Sequence, residues 1–260
     1  MKSFKDFIPL TGEKAFPFVY MVKSVSGVIE RMKLAKTRCA VFREDLLCFF
    51  YALPVYREAM TDVITTEQLQ PPVVFVIKPT CVDIKRIYPF NTVMYEKYTN
   101  SSDTGTGDSL LYKYNLISDY EMTPASLAAI QHYVKQVCDS NRNYFLGMFK
   151  SIDEFEVKLR ENYTFRVMLE MASSNDPDYG TRTVEIQTAC DLSFTKCNIL
   201  AIIAPSDYCN MPGFMDMLKT TEAEAIFYNI EPGNFTDYIS VIYGKIKKYY
   251  ENFGYMEKES

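Results

Sequence analysis

RTVEIQ, Arg182 to Gln187, is the stretch on which the reading of this chain turns. In extended backbone, alternate side chains share a face. Thr183, Glu185 and Gln187 therefore fall on one side, and Val184 and Ile186, with Arg182, on the other. If the aliphatic pair meets the core, an acid and an amide point the other way. Two accounts of that face stay open: the polar side of an edge strand in water, or the wall of a cleft. The neighbouring run NILAIIAP, Asn198 to Pro205, is almost wholly apolar and reads as a central strand. A carboxylate close to such a strand needs a partner or a use.

Working outward, the sequence predicts an α+β chain. PPVVFVIKP is a strand over Val73 to Lys78, β-branched and bracketed by proline. Ile84 to Tyr88 and Phe165 to Met171 read as further strands, and AIFYNI as the last. The run Leu46 to Tyr51 is a buried element that ends in a turn at Leu53-Pro54. Residues 16–35 read as an early helical segment, with Gly27 a weak point or a break. TPASLAAIQHYVKQV predicts a helix capped by Thr123 with Pro124 in its first turn, and His132 off its apolar stripe and on the surface. Ser151 and Glu154 open another helix with a capping box. NMPGFMDML starts a short helix in which Met211, Met215 and Met217 are packing residues. Thr236 caps a C-terminal helix whose stripe is Ile239, Ile242, Tyr243, Ile246, Tyr249 and Tyr250. Helices early, strands late and no regular βαβ alternation predict one α+β domain over 1–260, with central mixed or antiparallel sheets and flanking helices. NSSDTGTGDS gives it a mobile polar loop at about 98–110. The glycines there do not follow a strand in a phosphate-cradling pattern.

Composition narrows the chemistry. A net charge of −5 argues against sequence-independent nucleic-acid binding, which needs clustered positive charge. Lys33, Lys36, Arg38 and Arg43 form a local basic patch that reads as a solvated helix face. The 7 cysteines include no C-x-x-C pair, and MKSFKDFIPL lacks the apolar core of a signal peptide. Reduced thiols in a cytoplasmic protein are the expectation. No apolar run is long enough to span a bilayer, so no membrane partner is expected. With 1 histidine, zinc centres and His-based nucleophilic triads have few ways to form.

Two chemistries use an acid in the position of Glu185. In a metal-dependent nuclease, E-I-Q is an E-x-K variant, and Asp176 or Asp178 upstream shares a Mg²⁺ with Glu185. In a glycosidic-bond chemistry, Glu185 hydrogen-bonds a ribose hydroxyl and stabilises an oxocarbenium ion. The second needs no metal and suits a chain with 20 tyrosines.

Four segments carry a resemblance. FIPLTGEKAFPFVYMVKSVSGVI stands where a first strand with H-x-T and a following helix would be. FFYALPVYR, Phe49 to Arg57, matches F-F-Y-G-x-P-x-Y-R, and RIYPFNTV, Arg86 to Val93, matches R-I-Y-P-F-D-x-G. RTVEIQ matches a late strand with its acid. Together they resemble the ADP-ribosyltransferase superfamily, near its nucleic-acid-modifying toxins and RNA phosphotransferase relatives. The resemblance implies NAD as substrate, with Glu185 as the catalytic acid at the nicotinamide ribose. Tyr51, Tyr56 and Arg57 would line the nucleotide pocket, Arg57 meeting a phosphate. Thr11 matches the residue two after the usual histidine, and Gln187 lies beside Glu185 on the site face. The acceptor is an unassigned macromolecule or small molecule, and a toxin–antitoxin or phage-defence setting with a partner protein is implied. Departures are several: Pro9 replaces the histidine, Ala52 a glycine, Asn91 an aspartate and Val93 a glycine. They leave a third reading open, a catalytically degenerate interaction or sensor domain on the same scaffold.

Overall fold

Among the described residues, regular structure begins with a strand, not the helix expected for residues 16–35. The computed structural model describes residues 13–55, 71–94, 117–150, 183–196, 198–229 and 236–258. FVYMV forms β1 (Phe18–Val22), and only SGVIER coils, as the short helix α1 (Ser26–Arg31). Gly27 lies inside that helix and is no break. Met32, in the left-handed region at φ 48°, ends it. The aromatic and β-branched residues of β1 suit a pleated surface with neighbours on both sides, and that tertiary pairing outweighs the helical spacing.

The remaining strands follow as β2 (Lys33–Leu34), β3 (Thr37–Arg38), β4 (Asp45–Tyr51), β5 (Val73–Ile77), β6 (Arg86–Tyr88), β7 (Glu185–Thr188), β8 (Leu192–Ser193), β9 (Ile199–Pro205) and β10 (Glu224–Tyr228). The other described helices are α2 (Leu127–Cys138), α3 (Asn141–Phe145), α4 (Phe214–Thr221) and α5 (Thr236–Asn252). The chain is thus α+β, with a mixed sheet and a few helices, but strands lead the order where the sequence suggested helices. The expected strand Phe165–Met171, the helix opening at Ser151 and the polar loop at 98–110 lie outside the described residues.

Packing divides the chain into two compact units: Met1–Ala15 with Ile84–Ile186, and Phe16–Asp83 with Gln187–Ser260. The second is the sheet unit. Its strands run in the order β10-β9-β5-β1-β4, with β3 paired to β4 and a separate β2-β8 ribbon. β10 and β9 are parallel; β9-β5, β5-β1 and β1-β4 are antiparallel. All five residues of β5 are buried, so VVFVI needs no polar face. Each such side chain contributes about 1.5–3 kcal/mol on burial. Ile242, Ile246 and Tyr250 of α5 are fully buried, as the helical stripe predicts. Tyr250 donates its hydroxyl to the Ala52 carbonyl at 2.8 Å. Ala52 turns the chain out of β4 at φ 64°, the conformation that favours glycine, which the resembled motif carries there. Gly213 before α4 has φ +79°, and a Cβ on it would stand 2.6 Å from Ile29 Cγ2.

In the first unit, α2 starts at Leu127 and is capped by Ser126, whose Oγ accepts the Ala129 N–H at 3.2 Å. Thr123 is therefore not the cap. Ser140 caps α3 through the Asn143 N–H at 3.1 Å. His132 is a correction: it is 9% exposed and belongs to the buried side of α2 with Tyr133 and Val134. Packing covers this helix over more than one apolar stripe, and position off the stripe does not place a side chain in water. Residues 13–14 are stitched to these helices, since Gln131 donates to the Glu13 carbonyl at 2.7 Å and Asn141 Nδ2 to the Lys14 carbonyl at 2.8 Å.

Candidate functional site

Glu185 opens β7, and every residue of that strand is buried. Val184, Glu185, Ile186 and Gln187 are each 0% exposed. The edge-strand account is thereby overturned: neither face of the strand meets water. Alternation survives as geometry but no longer sorts side chains into wet and dry, because both faces are covered.

A buried carboxylate must find donors. Glu185 finds them on Thr92, in the 3₁₀ turn Thr92–Met94 that follows β6. The Thr92 backbone N–H donates to Oε2 at 2.7 Å. The Thr92 hydroxyl lies 2.9 Å from Oε1 and 3.1 Å from Oε2. Both carboxylate oxygens are thus engaged by one residue 93 positions away in sequence. The turn has its own support, since Asn91 Oδ1 accepts the Val93 N–H at 3.2 Å. The strand side has another: the Val184 N–H donates to the Tyr144 hydroxyl of α3 at 2.9 Å. Asn91, Thr92 and Tyr144 are all buried.

Tyr88, at the end of β6, completes the electrostatic setting. Burial pushes its phenol far above the ordinary range, the charges of Glu121 and Glu185 push the same way, and Arg86 opposes them. Tyr88 therefore stays a neutral donor at any ordinary pH and hydrogen-bonds Glu121. Two segments singled out in the sequence, RIYPFNTV and RTVEIQ, thus meet through Thr92 and Glu185.

Of the other site residues read from sequence, Tyr51 and Gln187 are described and the rest lie outside the described residues. Tyr51 is 0% exposed and belongs to the sheet unit. Its hydroxyl accepts the Phe16 N–H at 2.9 Å, and its ring packs edge-on to Phe16 at 5.7 Å. That is the position of a core tyrosine with its hydroxyl satisfied. Gln187 is buried, and the division between the two units falls just before it. Thr11, Tyr56, Arg57, Asp176 and Asp178 lie outside the described residues, as does Pro9. Among the described residues, no three His, Cys, Asp or Glu side chains are grouped to hold a metal ion. Nor is any described helix long and apolar enough to cross a membrane. The basic patch is not a helix face, since Lys33 lies in β2, Arg38 in β3 and neither Lys36 nor Arg43 in a helix, and it is partly knitted into the fold: Lys33 Nζ donates to Asp191 Oδ2 at 2.7 Å, and the Lys36 N–H to Asp191 Oδ1 at 2.9 Å.

Thr92 is the residue that the sequence reading missed. It sits at the unspecified position of the resembled motif, between the two departures Asn91 and Val93. A threonine flanked by PFN and V does signal a polar group in apolar company, but nothing in the sequence names its partner. Tyr144 carries no such signal. Neither a family model, nor a curated protein, nor a solved structure matches this chain.

Proposed function

We propose that this chain is an ADP-ribosyltransferase-like domain that recognises a nucleotide, with NAD as the first candidate, and acts as an interaction or sensor module rather than as a transferase. The observation that carries this reading is the closure of Glu185. Its side chain has no exposed surface, and Thr92 engages both of its oxygens. An acid stabilises a transition state only if the reacting atoms can reach it. Transfer of ADP-ribose and Mg²⁺-dependent cleavage both require that access. The nuclease reading further requires carboxylate oxygens for a metal that are already hydrogen-bonded here.

The convergence of RIYPFNTV on RTVEIQ supports the scaffold, since both segments carry the same resemblance and meet at the acid. The replacements at Pro9, Asn91 and Val93 support the loss of chemistry, and Asn91 now organises the turn that covers Glu185. A sensor of this kind acts through a partner protein, and a toxin–antitoxin or phage-defence assembly is the setting proposed for it.

Incubation with labelled NAD and a cell lysate, beside an NAD melting-shift titration, tests the reading. The expected result is a ligand-dependent shift in melting without transfer of label, and no Mg²⁺-dependent cleavage of nucleic acid. Transfer of label that disappears in Glu185→Gln establishes a transferase instead. Cleavage abolished by a chelator establishes the nuclease.

A further inference from the structure

RMKLAKTRCAVFR, Arg31 to Arg43, carries five cations and no acid, although the whole chain stands at −5; the remainder is therefore at −10. The fold gathers these charges at one end of the sheet unit. β2 pairs with β8, and Asp191 beside that ribbon takes both the Lys33 ammonium at 2.7 Å and the Lys36 N–H at 2.9 Å. Just beyond, β3 lies antiparallel to β4 with Arg38 opposite Asp45. The turn between them is closed by two backbone bonds of 2.8 Å, Cys39 N–H to the Glu44 carbonyl and Arg43 N–H to the Cys39 carbonyl. Val41 and Phe42 pack against the buried Cys39, Leu46 and Cys48, which anchors the hairpin to the unit.

Nearby acids neutralise only part of this charge. Asp191 engages Lys33, and Asp45 lies 3.7 Å from Arg38 with both side chains more than half exposed, an arrangement that is weak and easily exchanged. The Lys36 ammonium rests on a neutral acceptor, the Ala189 carbonyl, at 3.1 Å. Arg31 and Arg43 are exposed, and among the described residues no acid pairs with either. β3 is also an edge: Thr37 and Arg38 are both exposed, and among the described residues the strand pairs with β4 alone. Such an edge offers backbone donors and acceptors to another extended chain. A second copy of β3 is a poor match, because like charges would face each other. A polynucleotide has no amides to continue the ladder, and beyond the hairpin it would meet a net negative protein. An extended peptide rich in acids answers both features. We propose that the edge strand β3 and its turn are a docking site for an extended acidic segment of a partner protein. The inference rests on the sensor reading only for the existence of a partner, and not on nucleotide recognition.

A fluorescent peptide of alternating Glu and Val, titrated into the full chain and followed by anisotropy, tests the site. The peptide should bind, and more weakly as salt rises, since exposed charges are screened over roughly 8–10 Å. The double variant Arg31→Gln/Arg43→Gln should weaken it roughly three- to tenfold. Both side chains are exposed, so the variant should melt with the parent; Lys36→Gln serves if it does not. Lys248→Gln, exposed on α5, should leave binding unchanged and separates this edge from general charge attraction. The same peptide with alternate amides N-methylated keeps its charge but cannot extend the ladder, and should bind more weakly. No binding of the acidic peptide, equal binding by the double variant, or equal binding of the N-methylated peptide overturns the proposal. Tighter binding of an oligothymidylate of equal charge overturns it too and makes the hairpin a nucleic-acid surface. A failed NAD titration leaves the docking site standing, and a failed peptide titration leaves the nucleotide reading standing.

Discussion

Glu185 and Asp191 stand close together in the sequence and use their oxygens alike, yet they work in opposite surroundings. Each engages both oxygens, Glu185 with the N–H and hydroxyl of Thr92, Asp191 with the Lys33 ammonium and the Lys36 N–H. Glu185 is 0% exposed, whereas Asp191 lies at the surface, where it clips the β2-β8 ribbon. Formal charge favours Asp191, which has a cation beside it. Burial favours Glu185 as the residue that matters, because water can replace the partners of Asp191 but not those of Glu185. The same hydrogen-bond count therefore means different things: a surface clip that fastens two short strands, and a sealed contact that two segments of the first unit depend on.

The largest expected effect attacks the sealed carboxylate. Glu185→Ala leaves the Thr92 donors buried without their acceptor and should cost about 3 kcal/mol in urea unfolding. Paired with Thr92→Val, it should cost clearly less than the sum of the single changes, because the two residues share one interaction. Next comes Glu185→Gln, which keeps one acceptor oxygen and forfeits the charge; about 1–2 kcal/mol is expected. A loss as large as that of the alanine variant would show that charge, rather than acceptor geometry, holds the contact.

The smallest effect belongs to Asp191. The Lys33 and Lys36 hydrogen bonds hold its carboxyl below the usual aspartate range. A depressed folded-state value means that the contribution is present above the unfolded-state value and is lost as pH falls through the folded one. The window therefore lies in the acid range below the ordinary aspartate value. An NMR titration of Asp191 should show a lowered midpoint that rises towards the ordinary value in Lys33→Met and in high salt. Unfolding near neutral pH should show no measurable coupling between Lys33 and Asp191. If that coupling rivals the one between Thr92 and Glu185, the contrast drawn from burial is wrong.

Much of the strand pattern was legible in the chain. Val73–Ile77, Glu185–Thr188 and Ile199–Pro205 are close to their expected limits, since short β-branched runs bounded by proline or polar residues leave few other conformations. The C-terminal stripe through Ile242, Ile246 and Tyr250 was equally clear, because a helix of this length repeats its spacing several times. The stretch 16–35 was not, as its apolar spacing fits a helix while its pairing partners, β4 and β5, lie far along the chain. His132 and Thr123 failed for a related reason. A face or a cap can be proposed from spacing, but which of several competing positions is used depends on what packs against it.

For the candidate site, the sequence by itself determined that an acid and an amide interrupt an apolar strand. Tertiary structure alone decided that Glu185 is sealed, that Thr92 supplies its donors, and that the Tyr51 hydroxyl serves the Phe16 backbone. Local periodicity arises from the backbone, which repeats every few residues, so a short window of sequence carries it. Burial and hydrogen-bond partnership arise from segments brought together across the length of the chain, and no window contains both halves of such a contact.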